Sequence, residues 1–394
     1  MFTHTHPELR NDLSLRWSRL QKGIQHAGAD ALIISSNVTV FYLTGRIFLG
    51  YIYMPATGEP WFFVRRPCGL TGERVESITK PEQIVERLAA HGEKLAQTLL
   101  IEDDDLTHSE WLRLVAAFPA ATVKTGGSSV LRTSRRVKTP YEIRIMKKTG
   151  ARHADLIRQY PSVFEHGMTD QGWAIELFHL MLKAGHLGHF RIAGNTMEAF
   201  MGTILAGDNG GAVSPYDFAL GGAGLHPSLP IGQSGVTLKE GMSIMVDIAG
   251  NFYGYLTDCT RIFGVGKLDP KAYDAHAVSI AIRNAIMAMA KPGVACADLY
   301  ALAIQMATEA GLADCFMGDQ QKAKFIGHGT GLVINEIPVL GPRSKETLDA
   351  GMCIALEPKF VVRGTGAVGV EDTLLVTSNG MENLTPAPDD IITL

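Results

Sequence analysis

Five side chains carry most of the chemical capacity of this sequence: Asp247, Asp258, His328, Glu357 and Glu371. The two aspartates lie in IMVDIAGNFYGYLTDCTRIF (244–263), where strand-like runs flank a Gly-Asn-Phe-Tyr-Gly turn. A hairpin folded symmetrically about Phe252–Tyr253 sets Asp247 opposite Asp258, with Cβ atoms about 4.5–5.5 Å apart. Like charges in that relation destabilise a sheet, and a cation between them reverses the sign. Either aspartate alone reads equally well as a surface or turn residue. His328 lies in FIGHGTGLVINEIPVL (325–340), between glycines that allow a sharp, closely packed backbone. No Lys-Ser/Thr follows those glycines, which excludes a phosphate-binding P-loop, and a lone histidine is more often structural. Glu357 and Glu371 each interrupt an apolar strand run, CIALEPKFVV (353–362) and AVGVEDTLLV (367–376). A buried carboxylate without a partner costs several kcal/mol or neutralises itself. Two such strands therefore ask for a shared counter-charge, although an edge strand with its Glu in water is the alternative for either one.

Taken together, the four carboxylates and one imidazole form an oxygen-rich ligand set. Two divalent cations would cancel the four carboxylate charges, and a bridging hydroxide would leave the site near neutral. The donors suit hard or borderline ions (Mn, Co, Zn or Fe) rather than thiophilic ones. Two such ions about 3.5–4 Å apart activate a water and polarise a carbonyl.

The elements that must position these residues follow an α/β and α+β pattern. Helical spacing over 13–27, a buried strand at 31–36, two strands over 51–64, a helix and a further strand LLIEDD predict a small α/β domain over 1–130. The polar, Gly/Ser-bearing stretch 125–136 is the expected linker. Thr139-Pro140-Tyr141-Glu142 then has the capping-box pattern with Pro at the first helical position. Helices over about 140–158, 170–185, 270–290 and 296–310, an irregular Gly-rich stretch at 190–235, and strands at 242–265, 352–363 and 367–377 predict an α+β domain over 135–394.

Composition bounds the possibilities. The chain has 394 residues, 46% of them apolar, with 36 Lys plus Arg against 40 Asp plus Glu, a formal charge of −4. That length supports a sizeable core. The balance, without a basic block, leaves no electrostatic footprint for nucleic acid or an anionic membrane. Five scattered cysteines without a CxxC argue against a disulfide framework or a zinc-thiolate site and favour a cytoplasmic setting. No signal-like or membrane-spanning apolar run is expected.

These segments, in this order, resemble the pita-bread metallopeptidase family, which includes methionine aminopeptidase, Xaa-Pro aminopeptidase, prolidase and the metal-free relative creatinase. DCTR around Asp258 and GHGTGL around His328 are the most specific strings. GADALIISSNVTVFYLTG resembles the creatinase-type N-terminal domain, and RRVKTPYEIRIMKK resembles the junction that opens the catalytic domain. The resemblance implies a creatinase-like N-terminal domain followed by a pita-bread catalytic domain. It also implies ligand roles: Asp247 on one metal, Asp258 and Glu371 bridging both, His328 and Glu357 on the second. The implied activity is hydrolysis near a peptide N-terminus, often at a bond preceding proline, on short peptides or dipeptides. The bridging hydroxide would attack, and Glu357 would act as general base and acid. His226, in GLHPSLP, falls where the family keeps a substrate-side histidine. A homodimer is the family expectation.

Two positions depart from the family pattern. Asn335 stands seven residues after His328, where a second histidine is usual; it can donate a hydrogen bond to an oxyanion but cannot carry a proton. Gly369 stands two residues before Glu371, where prolidase and Xaa-Pro aminopeptidase tend to keep an Arg. Arg191 is the candidate replacement as a substrate carboxylate clamp. His186 and His189, in AGHLGHF, are expected on a loop because of Gly185 and Gly188. The departures motivate a second reading, hydrolysis or lyase chemistry on a small non-peptide substrate. A third is a binding protein on a retired peptidase scaffold, against which the intact ligand set counts.

Overall fold

The computed structural model describes residues 2–3, 5–192 and 200–394. The chain divides into two compact units, Met1–Arg135 and Arg136–Leu394. In the first, a six-stranded sheet runs in the order Val75–Ser77, Trp61–Arg66, Leu49–Pro55, Ala31–Ile34, Thr98–Ile101, Thr122–Lys124. Ala31–Ile34 is wholly buried and central, antiparallel to Leu49–Pro55 and parallel to Thr98–Ile101. An unbroken apolar run is what a strand covered on both faces requires. Beyond the next strand, buried Glu102 accepts from the Ser35 and Ser36 amides and from the Ser36 and Thr39 hydroxyls. That satisfies its charge within the unit.

The expected linker at 125–136 is largely a helix, Gly127–Arg135. The reason is a close approach: a Cβ at Gly127 would lie 2.0 Å from the Ile101 carbonyl oxygen. Here the glycine admits helix-on-strand packing and does not mark flexibility.

The second unit opens as its sequence predicts. Helix Pro140–Ile157 carries a complete capping box, the Glu142 amide donating to the Thr139 hydroxyl and the Thr139 amide to the Glu142 carboxylate. Helices Asp170–Lys183, Pro270–Met289 and Cys296–Glu309 follow. A four-stranded sheet has the order Ile392–Thr393, Thr260–Gly264, Ser243–Ile248, Gly202–Ala206. A five-stranded sheet has the order Glu336–Val339, Gly327–Gly329, Cys353–Leu356, Asp372–Thr377, Gly380–Asn383. Two ribbons complete the unit, Gly250–Asn251 with Leu256–Thr257 and Lys359–Val362 with Gly366–Gly369. Strand Gly202–Ala206 falls inside the stretch read as irregular; all five of its residues are buried.

All five cysteines are free thiols. Among the described residues, no helix is long and apolar enough to cross a membrane.

Candidate metal centre

The hairpin that carries the two aspartates folds differently from the symmetric expectation. Asp247 pairs with Thr260 and, on its other side, with Thr203. The cause is the turn: Asn251 Oδ1 accepts from the Gly254 amide at 3.2 Å, and Gly254 takes φ +85°. This moves the fold point along the chain and displaces the register. Asp258 sits in the gap between strands Leu256–Thr257 and Thr260–Gly264, outside the ladder. Its backbone is held instead by Thr373, whose hydroxyl accepts from the Asp258 amide at 2.8 Å and lies 2.9 Å from the Asp258 carbonyl oxygen.

The other candidate ligands also stand where regular pairing stops or glycine thins the backbone. His328 is the middle of strand Gly327–Gly329, between Glu336–Val339 and Cys353–Leu356. A Cβ at Gly327 or Gly329 would come within 2.4 Å of the neighbouring strands' carbonyl oxygens. Glu357 follows strand Cys353–Leu356, and Glu371 precedes strand Asp372–Thr377. At these breaks a carboxylate can turn into the interior without costing a ladder bond.

The structure brings the five residues together. One ligand atom from each of Asp258, His328 and Glu371 lies within 4.8 Å of the other two. His328 Nε2 is 3.4 Å from Glu357 Oε1 and 3.9 Å from Asp258 Oδ2. His328 Nδ1 donates to its neighbour's carbonyl, Gly329 O, at 3.1 Å. That bond leaves Nε2 as the ring nitrogen that faces the carboxylates, the atom through which a metal would be held once its proton is lost. Thr260 Oγ1 donates to Glu371 Oε2 at 2.6 Å.

One residue that the reading of the sequence passed over stands in the middle of the cluster. Lys359 Nζ lies 2.9 Å from Asp247 Oδ2, 2.8 Å from Glu357 Oε2 and 2.9 Å from Glu371 Oε2, and its side chain is 0% exposed. The signal was in CIALEPKFVV: a lysine in an apolar strand needs buried carboxylates as much as the glutamate does. Lys359 now supplies part of the counter-charge that the sequence reading assigned wholly to two ions.

The electrostatics follow from burial and crowding. Burial, Glu371, Asp247 and Glu357 raise Asp258 well above the usual carboxylate range. Glu371 is pushed up to about 8, by burial first and by Glu357 and Asp247, against the pull of Lys359. Burial also opposes ionisation of Glu357, but Lys359 and His328 outweigh it and hold Glu357 down to about 2. Burial likewise disfavours charge on Lys359 and His328; Asp247, Glu357 and Glu371 overcome it at the lysine, and Glu357 at the histidine, so both are raised. Four carboxylates facing one ammonium leave an excess of negative charge that two of them relieve by favouring their neutral forms. A divalent cation fits that donor set and that charge.

A second charged layer fixes the DCTR segment from behind. Arg261 donates to the Glu371 carbonyl at 2.8 Å and to Asp372 Oδ1 at 2.7 Å; Arg283 donates to Asp372 Oδ2 at 2.7 Å and binds Asp389. Asp372 and Arg261 are buried. Their signal was a charge next to one candidate ligand, Asp372 after Glu371, and another three residues after Asp258, Arg261. Lys138 makes a buried pair with Glu336 at 2.9 Å, and Glu336 also accepts from the Leu332 and Val333 amides, which shapes the loop after His328.

The remaining candidates have local partners of their own. His226 is exposed in a turn, its Nδ1 2.8 Å from Ser228 Oγ and accepting from the Ser228 amide at 3.1 Å. Asn335 is exposed. The neighbouring Ile334 amide donates to the Arg191 carbonyl at 2.7 Å, which ties the Asn335 loop to the Arg191 segment. Burial lowers the Arg191 pKa from its ordinary value. His186 and His189 follow the end of helix Asp170–Lys183; His186 Nε2 donates to the Ala249 carbonyl at 2.8 Å, a structural tie and not a ligand arrangement.

Residues 144–378 match the model of metallopeptidase family M24, and residues 16–137 match that of the creatinase/prolidase N-terminal domain. The chain belongs to metallopeptidase family M24. By family it is a hydrolase with a creatinase-type N-terminal domain ahead of a pita-bread catalytic domain. It is similar to the Xaa-Pro dipeptidase of Lactobacillus helveticus, 25% identical over 391 residues, with 95% of this chain and 97% of that protein covered. Among solved structures it is similar to an Xaa-Pro dipeptidase from Bacillus anthracis (TM-score 0.79, 23% identity, 97% and 100% of the two chains covered). It is also similar to an X-Pro aminopeptidase from Thermotoga maritima (TM-score 0.77, 19% identity, 95% and 100% covered). At those identities the two structures attest the fold.

Proposed function

We propose that this chain is a divalent-metal-dependent peptidase that hydrolyses Xaa-Pro-type bonds at the N-terminus of short peptides or dipeptides. The observation that carries this reading is the convergence of Asp247, Asp258, His328, Glu357 and Glu371 in an M24 chain matched over nearly its whole length by an Xaa-Pro dipeptidase. Asp258, His328 and Glu371 are the core ligands, with Glu357 and Asp247 at their edge. A divalent cation there, Mn, Co, Zn or Fe, supplies an acidified water and polarises the scissile carbonyl.

The chain's own residues do the rest. Glu357 Oε2 is committed to Lys359, so Oε1 is the oxygen that takes the proton of the attacking water and returns it to the leaving amine. Lys359 orients that carboxylate. Arg191 binds the carboxylate of a dipeptide substrate, the role that Gly369 cannot fill. Asn335 donates to the developing oxyanion, and His226 hydrogen-bonds the reacting amide once substrate draws its turn inward. The working form is a cytoplasmic homodimer.

Gly369 and Lys359 give one concrete ground for the second reading, chemistry on a small non-peptide substrate, because both alter what surrounds the reacting centre. A panel of Xaa-Pro dipeptides, longer Xaa-Pro peptides and amidated analogues separates the two. Turnover after reconstitution with Mn²⁺ or Co²⁺, lost on stripping, supports the peptidase. Metal retained with no turnover of any peptide favours the non-peptide substrate. Asp258→Ala is expected to lose bound metal, and full retention would contradict its assignment as a ligand.

A further inference from the structure

The ammonium of Lys359 uses its three N–H donors on three different carboxylates, Asp247, Glu357 and Glu371. Each bond takes one oxygen out of the ligand pool, and Glu371 Oε2 is further engaged by Thr260. What remains is divided unevenly. On one side stand Asp258, His328 and Glu371, which each offer a ligand atom within 4.8 Å of the other two, with Glu357 Oε1 3.4 Å from His328 Nε2. On the other side stands Asp247, paired with the lysine and outside that group.

The lysine is built in. Its carbonyl accepts from the Met317 amide at 2.8 Å. Across the ribbon it pairs in register with Gly369. Gly369 has φ +136°, and a Cβ there would meet Pro358 O at 2.6 Å and the Lys359 Cα at 3.0 Å. The position that lacks the arginine of the family pattern is thus the cross-strand partner of the new cation. To leave, the ammonium would break three charge-assisted bonds from a side chain that water does not reach.

We propose that Lys359 is a resident cation that stands in for one of two metal ions, so that this chain holds a single divalent ion on Asp258, His328 and Glu371, with Glu357 Oε1 left as the base beside it. Asp247 serves the lysine and not a metal. The proposal rests on the metallopeptidase reading and refines its centre.

The test is metal stoichiometry. Stripped wild-type protein is titrated with Mn²⁺, and bound ion is counted by elemental analysis after gel filtration, alongside Lys359→Gly, with circular dichroism to check folding. The expected result is one tightly bound ion per chain in the wild type and two in Lys359→Gly. Two ions in the wild type, or one in a folded Lys359→Gly, overturns the proposal. Electron paramagnetic resonance of Mn²⁺-loaded wild type needs no variant. An uncoupled hyperfine sextet is expected, and an exchange-coupled spectrum overturns the proposal even where Lys359→Gly does not fold. Binding of no ion by the wild type removes the metallopeptidase reading itself, a distinguishable failure.

Discussion

Glu357 divides its oxygens between Lys359 and His328, and that division sets what its replacement does. In Glu357→Gln the amide oxygen still accepts from Lys359, so the fold persists, but no carboxylate remains to take a proton. We expect kcat to fall about 10²–10⁴-fold with little change in the thermal midpoint. Near-normal turnover in steady-state assays would refute the proton role. Arg191→Ala is expected to raise KM for dipeptides much more than for amidated or longer peptides, since only the former present a carboxylate at that distance. Equal effects on both classes would remove the clamp. At this scale the five clustered residues were legible as candidates because each sets a charge or an imidazole against an apolar or Gly-rich run, a local conflict that asks for a partner. Lys359 was legible by the same criterion and was passed over because an exposed lysine is so common. The place of His226 was not legible, since a Gly/Pro-rich turn fixes no direction for its side chains.

The elements around the site hold two further buried polar groups whose effects are measurable. His153, on helix Pro140–Ile157, lies 3.1 Å from Thr257 Oγ1 in the kinked hairpin, and burial pushes its pKa from the ordinary 6.5 down to about 3. The unfolded chain takes up that proton near pH 6.5 and the folded chain resists it. Between these values the unfolded state therefore holds more protons, and stability falls as pH drops, by on the order of 1.4 kcal/mol per unit. The contribution is full above about 6.5 and gone near 3. Urea melts of His153→Gln are expected to lose that part of the acid slope, and a slope identical to wild type would contradict the assignment. The Arg261–Asp372–Arg283 network makes the second case. Asp372→Asn leaves two guanidiniums short of their counter-charge and is expected to destabilise by about 3–5 kcal/mol in denaturant melts; a loss below about 1 kcal/mol would show the network to be dispensable. Elements with strong local punctuation were readable, as the Thr139 capping box and the Pro270 helix start attest. Helix Gly127–Arg135 and strand Gly202–Ala206 were not, because their glycines serve close packing and look like loop signals in sequence. The hairpin register failed for a related reason: one Asn251–Gly254 hydrogen bond moved the fold point.

At the scale of the whole molecule, the alternation of short strands and helices followed by a second α+β pattern was enough to read two units, while the sheet orders depend on long-range pairings that no local pattern encodes. A cage drawn from segments spread over residues 247–371 exists only in the folded chain, so metal binding should stabilise the fold. At a free ion concentration about 100 times Kd the gain is about 2.7 kcal/mol, read as a metal-dependent rise in the thermal midpoint. A midpoint indifferent to Mn²⁺ would mean that the cage does not close on an ion. The most direct measurement of the central claim is proline release from Xaa-Pro dipeptides by one preparation, stripped of metal and then reconstituted with Mn²⁺. The account predicts no release from the stripped protein and restored release on reconstitution. Equal release in both states would contradict it.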